Sequence, residues 1–154
     1  SGKINLPDNT YDLITVFSVL HHIPNVSFVL TELFRVLKCN GYLLIREPIH
    51  SMGNWNNQRQ GLTKNERGIP KNYLWDILKS FDCEIIHYSY HYCMYSFLTR
   101  ILHEPKFLRS HWYLRIDNIL STMFLWNYRY HPINKFQRIC PQYIYVVIKK
   151  NKNL

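Results

Sequence analysis

The chain is poor in glycine, in long apolar runs and in closely spaced cysteines. Its 154 residues include five glycines and are 47% hydrophobic, which excludes a collagen-like fibre, a low-complexity linker and a disordered tail. The longest apolar runs, such as residues 13–17, are too short to span a membrane, and no signal peptide is visible. The four cysteines form no C-x-x-C pair, so we expect reduced thiols in a cytoplasmic protein.

Acidic residues are scarce in the second part of the chain. Residues 1–96 contain nine Lys/Arg and eight Asp/Glu, whereas residues 97–154 contain ten Lys/Arg and only Glu104 and Asp117. The basic part is also rich in aromatic residues, including Trp112 and Trp126. This combination can bind nucleic acid, an anionic ligand or a membrane surface. It also occurs in a helical layer that is packed by its rings and carries a solvated cationic face.

Apolar periodicity predicts strands that alternate with helices. Residues 11–18 form a short apolar, β-branched run that is typical of a strand buried on both faces. A helix is predicted to begin at residues 25–27 and to end at Gly41, which accepts the left-handed conformation of a helix cap. Further elements are predicted as a strand at 42–46, a loop at 49–70, a helix at 71–81, a strand at 84–92, helices at 95–130 and a strand at 143–148.

This alternation indicates an α/β fold with a parallel sheet. Within residues 6–48, an ordered set of motifs is more specific: Leu-Pro before a strand that starts with Tyr-Asp, then Ser-Val-Leu-His-His, then Arg-Val-Leu-Lys and an Asn-Gly turn. This set resembles the central part of a class I S-adenosylmethionine-dependent methyltransferase. The resemblance implies a partial Rossmann-like sheet with the family's strands in the order 4-5-7-6, S-adenosyl-L-methionine as the cofactor, and methyl transfer to a small-molecule or sugar-like acceptor.

The resemblance also implies where the cofactor lies. It places Ile4 and Asn5 beside the adenine, and Ser18, Val19 and Leu20 along the methionine and ribose part. In open α/β sheets, ligands bind outside the carboxyl ends of the strands, and the segment 18–22 follows such an end.

Two neighbouring histidines, His21 and His22, are the catalytic candidates, because histidine accepts a proton near neutral pH. Neighbouring residues are not expected to point the same way, so at most one is expected to act. Arg46 and Glu47 end the next strand at the same edge and either contact the substrate or pair with their surroundings. No metal site is predicted.

The chain departs from the family's pattern at two places. It contains neither a Gly-rich loop after a first strand nor the acidic residue of the following strand, so residues 1–154 are expected to form one N-terminally truncated domain, at best weakly active alone. A missing N-terminal half, a completing chain or self-association would then cover the bare edge of the strand at 11–18. The second departure is a helical insertion at 95–130. The alternative function is a non-catalytic module that uses the basic aromatic region 95–150 on nucleic acid or a membrane surface.

Overall fold

A computed structural model describes residues 2–54, 57, 59–102, 108 and 110–151. The elements that build the sheet layer are β1 (Tyr11–Phe17), α1 (Val26–Val36), β2 (Leu37–Pro48), α2 (Lys71–Lys79), β3 (Cys83–His91) and β4 (Tyr143–Lys150). Between β3 and β4 lie α3 (Tyr95–Leu102) and α4 (His111–Met123). Short 3₁₀ helices cover Leu20–His22, Phe124–Asn127 and Phe136–Arg138. The predicted strands and helices are present where the structure describes them, with ends that differ by a few residues. Within the predicted helical region 95–130, residues 103–107 and 109 lie outside the described residues.

The four strands form one sheet in the order β1-β2-β4-β3. Strands β1 and β2 are parallel, and β4 runs antiparallel to both β2 and β3. The prediction of a parallel sheet is therefore wrong for β4, which enters the sheet between β2 and β3 in the opposite direction. This order confirms the predicted arrangement, in which β1, β2, β4 and β3 take the places of the family's strands 4, 5, 7 and 6. Phe17 pairs with Arg46, so the carboxyl ends of the two parallel strands meet at one edge of the sheet.

The hydrophobic core lies between one face of the sheet and the helices α1 and α2. The apolar residues of α1 recur every three or four positions, which gives the helix a continuous buried face. Side chains with 0% exposure come from both helices and from the sheet, including Leu30, Leu43, Leu74, Ile144 and Ile148.

The prediction that β1 is buried on both faces is wrong. Val16 is buried in the core, but Leu13 is 56% exposed and Phe17 is 46% exposed. Successive side chains of a strand point to opposite faces, so the odd-numbered residues form a face that no described element covers. In the described part of the chain, the outer edge of β1 has no strand partner either.

The predicted role of Gly41 as a helix cap is also wrong. Helix α1 ends at Val36, because the buried Leu37 is already extended. The left-handed conformation is taken by Asn40, with a φ of 62°. A Cβ atom on Gly41 would lie 2.8 Å from the carbonyl oxygen of Lys38, so glycine is needed here for close backbone approach.

The insertion between β3 and β4 is fixed to the sheet by polar contacts. The Tyr92 N–H donates to Asp117 Oδ2 over 2.6 Å, and the Cys93 N–H donates to Ser121 Oγ over 3.2 Å. Asp117 and Ser121 are buried on one side of α4, and Asn118 Nδ2 donates to the carbonyl of Tyr90. None of the helices in the described ranges is both long and apolar enough to cross a membrane.

Candidate functional site

The segment that follows β1 turns sharply at Ser18. Ser18 has a φ of 55°, and its N–H donates to the carbonyl of Arg46 on the neighbouring strand over 2.7 Å. This last ladder bond ends the strand, and the left-handed residue turns the chain into the 3₁₀ helix Leu20–His22. The turn therefore places both predicted catalytic histidines at the carboxyl edge of the sheet.

A fully buried carboxylate holds this segment in place. Glu47 Oε1 accepts the N–H groups of Val19 and Leu20 over 2.8 and 2.9 Å, and Oε2 accepts the N–H of His21 over 3.3 Å. Glu47 has an exposure of 0%, so it makes no contact with solvent. Of the two roles left open for Glu47, the geometry favours pairing with the surroundings and leaves its carboxylate out of reach of a substrate.

His21 is oriented by the same carboxylate. The ring is buried, and its Nδ1 lies 2.8 Å from Glu47 Oε2. A carboxylate only accepts hydrogen bonds, so Nδ1 is the donor and Nε2 of the neutral ring keeps its lone pair. A histidine held in one tautomer by a carboxylate is suited to accept a proton at its other nitrogen.

Glu66, from the long loop after β2, joins the two histidines. Its carboxylate lies 3.9 Å from His21 Nε2 and 3.6 Å from His22 Nδ1, and the two rings are 4.1 Å apart. The expectation that the neighbouring rings point in different directions therefore does not hold, because both lie beside Glu66. The Thr63 N–H donates to Glu66 over 2.9 Å and lowers the pKa of that carboxyl.

These three side chains are the ones in the described part of the chain that come closest to a metal-ligand set. One ligand atom from each of His21, His22 and Glu66 lies within 4.8 Å of the others. Zinc bonds of about 2.0–2.1 Å place tetrahedral ligand atoms only about 3.3 Å apart. The group would have to contract to hold such an ion. Sequence reasoning did not find Glu66, because nothing in its spacing connects it to the histidines.

A cavity of about 390 Å³ opens beside His21. This volume lies in the range of small-molecule sites. Its polar wall includes Arg67 and Tyr130. The backbone N–H of Arg67 donates to the His21 carbonyl over 2.9 Å, and the Tyr130 hydroxyl donates to the Gly68 carbonyl over 2.6 Å. Its apolar wall is formed by Leu20, Ile23, Val26, Ile69 and Pro70.

Arg46 pairs with the turn rather than with Glu47. Its Nη2 donates to Ser18 Oγ over 2.8 Å, and its guanidinium lies 5.7 Å from the centre of the Phe17 ring. Its Nε is buried and makes no hydrogen bond within the described structure. Because this Nε is buried, a bound molecule does not reach it in this conformation.

The segment predicted to border adenine is attached to α1. The Ile4 N–H donates to Glu32 Oε2 over 2.9 Å, and the Ile4 carbonyl accepts from Arg35 Nη2 over 2.8 Å. The Arg35 guanidinium and the Ile4 N–H hold the pKa of Glu32 at about 2. The backbone of Ile4 therefore fixes this segment, and the side chain of the following Asn5 is exposed to solvent.

The residues at this edge fit one side of S-adenosylmethionine. Phe17 and Val19 present half-exposed apolar side chains at the strand end, on which an adenine or ribose ring can pack. The N–H groups of residues 19–21 are already bonded to Glu47 and do not reach a ligand. Neither the buried Glu47 nor Glu66, which Thr63 engages, offers a free carboxylate for ribose hydroxyls.

Comparisons with known proteins agree with this fold. Residues 2–45 match the family model described as a methyltransferase domain. An S-adenosylmethionine-dependent methyltransferase from Mesorhizobium loti has a TM-score of 0.54 and 12% identity, covering 97% of this chain and 66% of its own. A methyltransferase of the same kind from Archaeoglobus fulgidus has a TM-score of 0.50 and 19% identity, and the match covers 94% of this chain and 62% of that structure. The [4+2]-cyclase SpnF has a TM-score of 0.55 and 14% identity, covering 99% and 54%. The search of curated proteins gave no match.

The resemblance found in the motifs is therefore confirmed: the chain has a partial Rossmann-like methyltransferase fold. The family match includes His21 and His22 but ends before Arg46, Glu47 and Glu66. The match of residues 2–45 to the methyltransferase domain supports S-adenosylmethionine as the cofactor. The chain spans 54 to 66% of the length of these three structures. At such low identity the structural likeness establishes the fold alone, and a cyclase is among the similar structures, so the reaction must be argued from the site.

Proposed function

We propose that this chain forms the C-terminal part of a methyltransferase that transfers a methyl group from S-adenosylmethionine to a small-molecule or sugar-like acceptor. The observation that carries the proposal is the His21–Glu47 pair, which lies at the carboxyl end of the parallel strands and beside a cavity of small-molecule size. The cofactor supplies an electrophilic methyl group when it is bound. The chain's own residues then have to bind the cofactor, orient the acceptor and remove the acceptor's proton.

In this proposal the acceptor occupies the 390 Å³ cavity, and His21 Nε2 takes its proton. Glu47 keeps the ring in the required tautomer and stabilises the positive charge that the ring acquires. Ser18, Val19 and Leu20 line the cofactor, with Ile4 and Asn5 at its adenine end. Arg46, whose Nη2 holds the Ser18 hydroxyl, lies at the same edge and is the candidate for contact with the acceptor.

His22 is the second candidate base. Its side chain is exposed, and Nδ1 lies 3.3 Å from Thr63 Oγ1. It is held less firmly than His21, since no buried carboxylate fixes its tautomer. We therefore assign proton transfer to His21 and assign His22 a role in binding the acceptor.

The proposal includes a partner, because the sequence has no Gly-rich loop to approach the methionine part of the cofactor. An N-terminal half or a second chain would supply that loop and cover the exposed face of β1. We propose the cytoplasm as the compartment. The four cysteines are free, which supports a reducing environment.

Calorimetric titration with S-adenosylhomocysteine tests the cofactor site. We expect micromolar binding that Phe17→Asp weakens by about tenfold, because the substitution puts a charge against the ligand's apolar rings. Leu13→Asp is the matched control, since Leu13 lies on the same exposed face of β1 but at the other end of the strand. Equal effects of both substitutions would contradict the proposed position of the site. No binding by the folded chain would contradict the expectation that these residues bind the cofactor without the completing chain.

A further inference from the structure

Helix α4 carries an apolar stripe on its outer face. The stripe consists of Trp112, Ile116, Ile119 and Met123, and it continues into the 3₁₀ helix with Trp126. Their spacing of four, three, four and three residues puts them on one face, about 17 Å long within α4. All five are 47–67% exposed. Scattered exposed apolar residues are ordinary, but a continuous row of five marks an interaction surface.

The stripe is not the face by which α4 packs on the protein. That face is formed by Tyr113, Asp117 and Ser121, all buried. Two of these three inward residues are polar, whereas the outward face carries large apolar groups, so much of the apolar surface of α4 is turned to the outside. Such a helix loses apolar burial in the isolated chain and regains it only when another apolar surface covers the stripe.

The exposed charges of the chain segment that carries the stripe have one sign. In the described residues from 110 to 140, the charged side chains other than Asp117 are Arg115, Arg129, Lys135 and Arg138, and all four are exposed. Asp117 is buried in the packing face and so adds no negative charge to the surface. Ile133 and Phe136 add exposed apolar groups beside them, and the Phe136 ring lies 6.3 Å from that of Trp126.

The stripe also lies away from the exposed edge of β1. Helix α4 packs on β3, and β3 is at the opposite end of the sheet from β1. A strand that pairs with β1 would extend the sheet away from α4. The stripe therefore needs an occupant different from the segment that completes the methyltransferase sheet.

We propose that the α4 stripe and its basic flank dock this protein on an anionic lipid surface. Amphipathic helices that lie in a membrane interface combine a Trp- and Ile-rich face with flanking Lys and Arg, which is the arrangement found here. Nucleic acid accounts for the arginines and tryptophans but leaves Ile116, Ile119 and Met123 uncovered. A second copy of the chain would bring two cationic surfaces together. This inference goes beyond the methyl-transfer proposal and does not rest on it.

Co-sedimentation of the full chain with vesicles tests the docking surface. We expect binding to vesicles of equimolar phosphatidylcholine and phosphatidylserine, weaker binding to phosphatidylcholine alone, and weakening by salt. The double substitution Ile119→Glu with Met123→Glu should reduce binding by about tenfold or more, because it puts charges into the buried face of the helix. The matched control is Leu13→Glu with Ile86→Glu, which makes the same charge change at exposed apolar residues of β1 and β3 and should leave binding within about twofold.

Each other outcome overturns the proposal. Failure of the folded chain to bind anionic vesicles does so, as does an equal loss of binding in both double variants, which would show plain charge attraction. A dimer in size-exclusion chromatography that the stripe variant abolishes, without vesicle binding, would assign the stripe to a second copy. Circular dichroism of all variants establishes that each is folded, and a blue shift of tryptophan emission on vesicles reports burial of Trp112 and Trp126.

Discussion

Replacing Glu47 by glutamine removes the negative charge that holds the site and changes little else. The amide oxygen of glutamine can continue to accept the N–H groups of Val19 and Leu20. The amide nitrogen takes the place of Oε2 and faces two donors, the N–H and Nδ1 of His21. At full burial neither donor finds water as a substitute.

The expected loss of stability follows from these contacts. Hydrogen bonds to a charged group contribute about 1.5–3 kcal/mol each, and His21 can recover one by changing its tautomer. Glu47→Gln should therefore lower the free energy of unfolding by about 2–4 kcal/mol. With a slope of about 2 kcal/mol per molar urea, the unfolding midpoint should fall by about 1–2 M.

Urea unfolding followed by circular dichroism measures this shift. Glu84→Gln is the matched control, because Glu84 is exposed on β3 and its substitution should change stability by less than about 0.5 kcal/mol. A double-mutant cycle with His21→Gln should show a coupling energy of about 1 kcal/mol or more. A midpoint for Glu47→Gln within about 0.25 M of the parent would refute the reasoning that this carboxylate organises the site.

Three further predictions concern the rest of the fold. Arg35 holds the pKa of Glu32 at about 2, below its ordinary 4.5, so the stability that ionised Glu32 contributes is complete above pH 4.5 and is lost as pH falls toward 2. Glu32→Gln should therefore make the melting temperature depend less on pH between pH 5 and about 2.5, and an unchanged slope contradicts this. Burial lowers the pKa of His50 below 6.5, so the stability of the fold should fall as pH drops below that value. His50→Gln should reduce the fall in melting temperature between pH 7.5 and about 5, and an equal fall in the parent and the variant would count against this prediction. Asp117→Ala should cost about 1–3 kcal/mol and speed hydrogen exchange at the Tyr92 amide, whose acceptor it removes; unchanged exchange would rule out this anchoring role.

The position of the site was predictable from the sequence for a local reason, whereas the strand order was implied by the family resemblance, because β3 and β4 lie outside residues 6–48. The run at 11–18, the helix with three-and-four spacing and the strand after Gly41 lie within about forty consecutive residues, and their motifs occur in a fixed order. The carboxyl ends of parallel strands meet at one edge, so placing those strands also placed His21, His22, Arg46 and Glu47 together.

Residues far apart in sequence were not predictable in the same way. Glu66 reaches the histidines from a polar loop that has no periodicity, and the cavity wall depends on where that loop and Tyr130 fold back. The inward direction of Glu47 depends on a strand end and a turn that only the folded chain brings together. The exposed face of β1 was not predicted, because an apolar run indicates that a strand can be buried on both faces but does not show that another element covers them.

The contacts of Glu47 and Arg46 keep residues 18–21 ordered whether or not a cofactor is bound. The Ser18 N–H bonds to β2, the next three N–H groups bond to Glu47, and the Ser18 hydroxyl bonds to Arg46, so the turn is satisfied by this chain alone. No cofactor contact is needed to set the geometry of His21. A completing chain would then act mainly by supplying the Gly-rich contacts to the cofactor, and adding it should raise cofactor affinity while the His21–Glu47 distance stays the same.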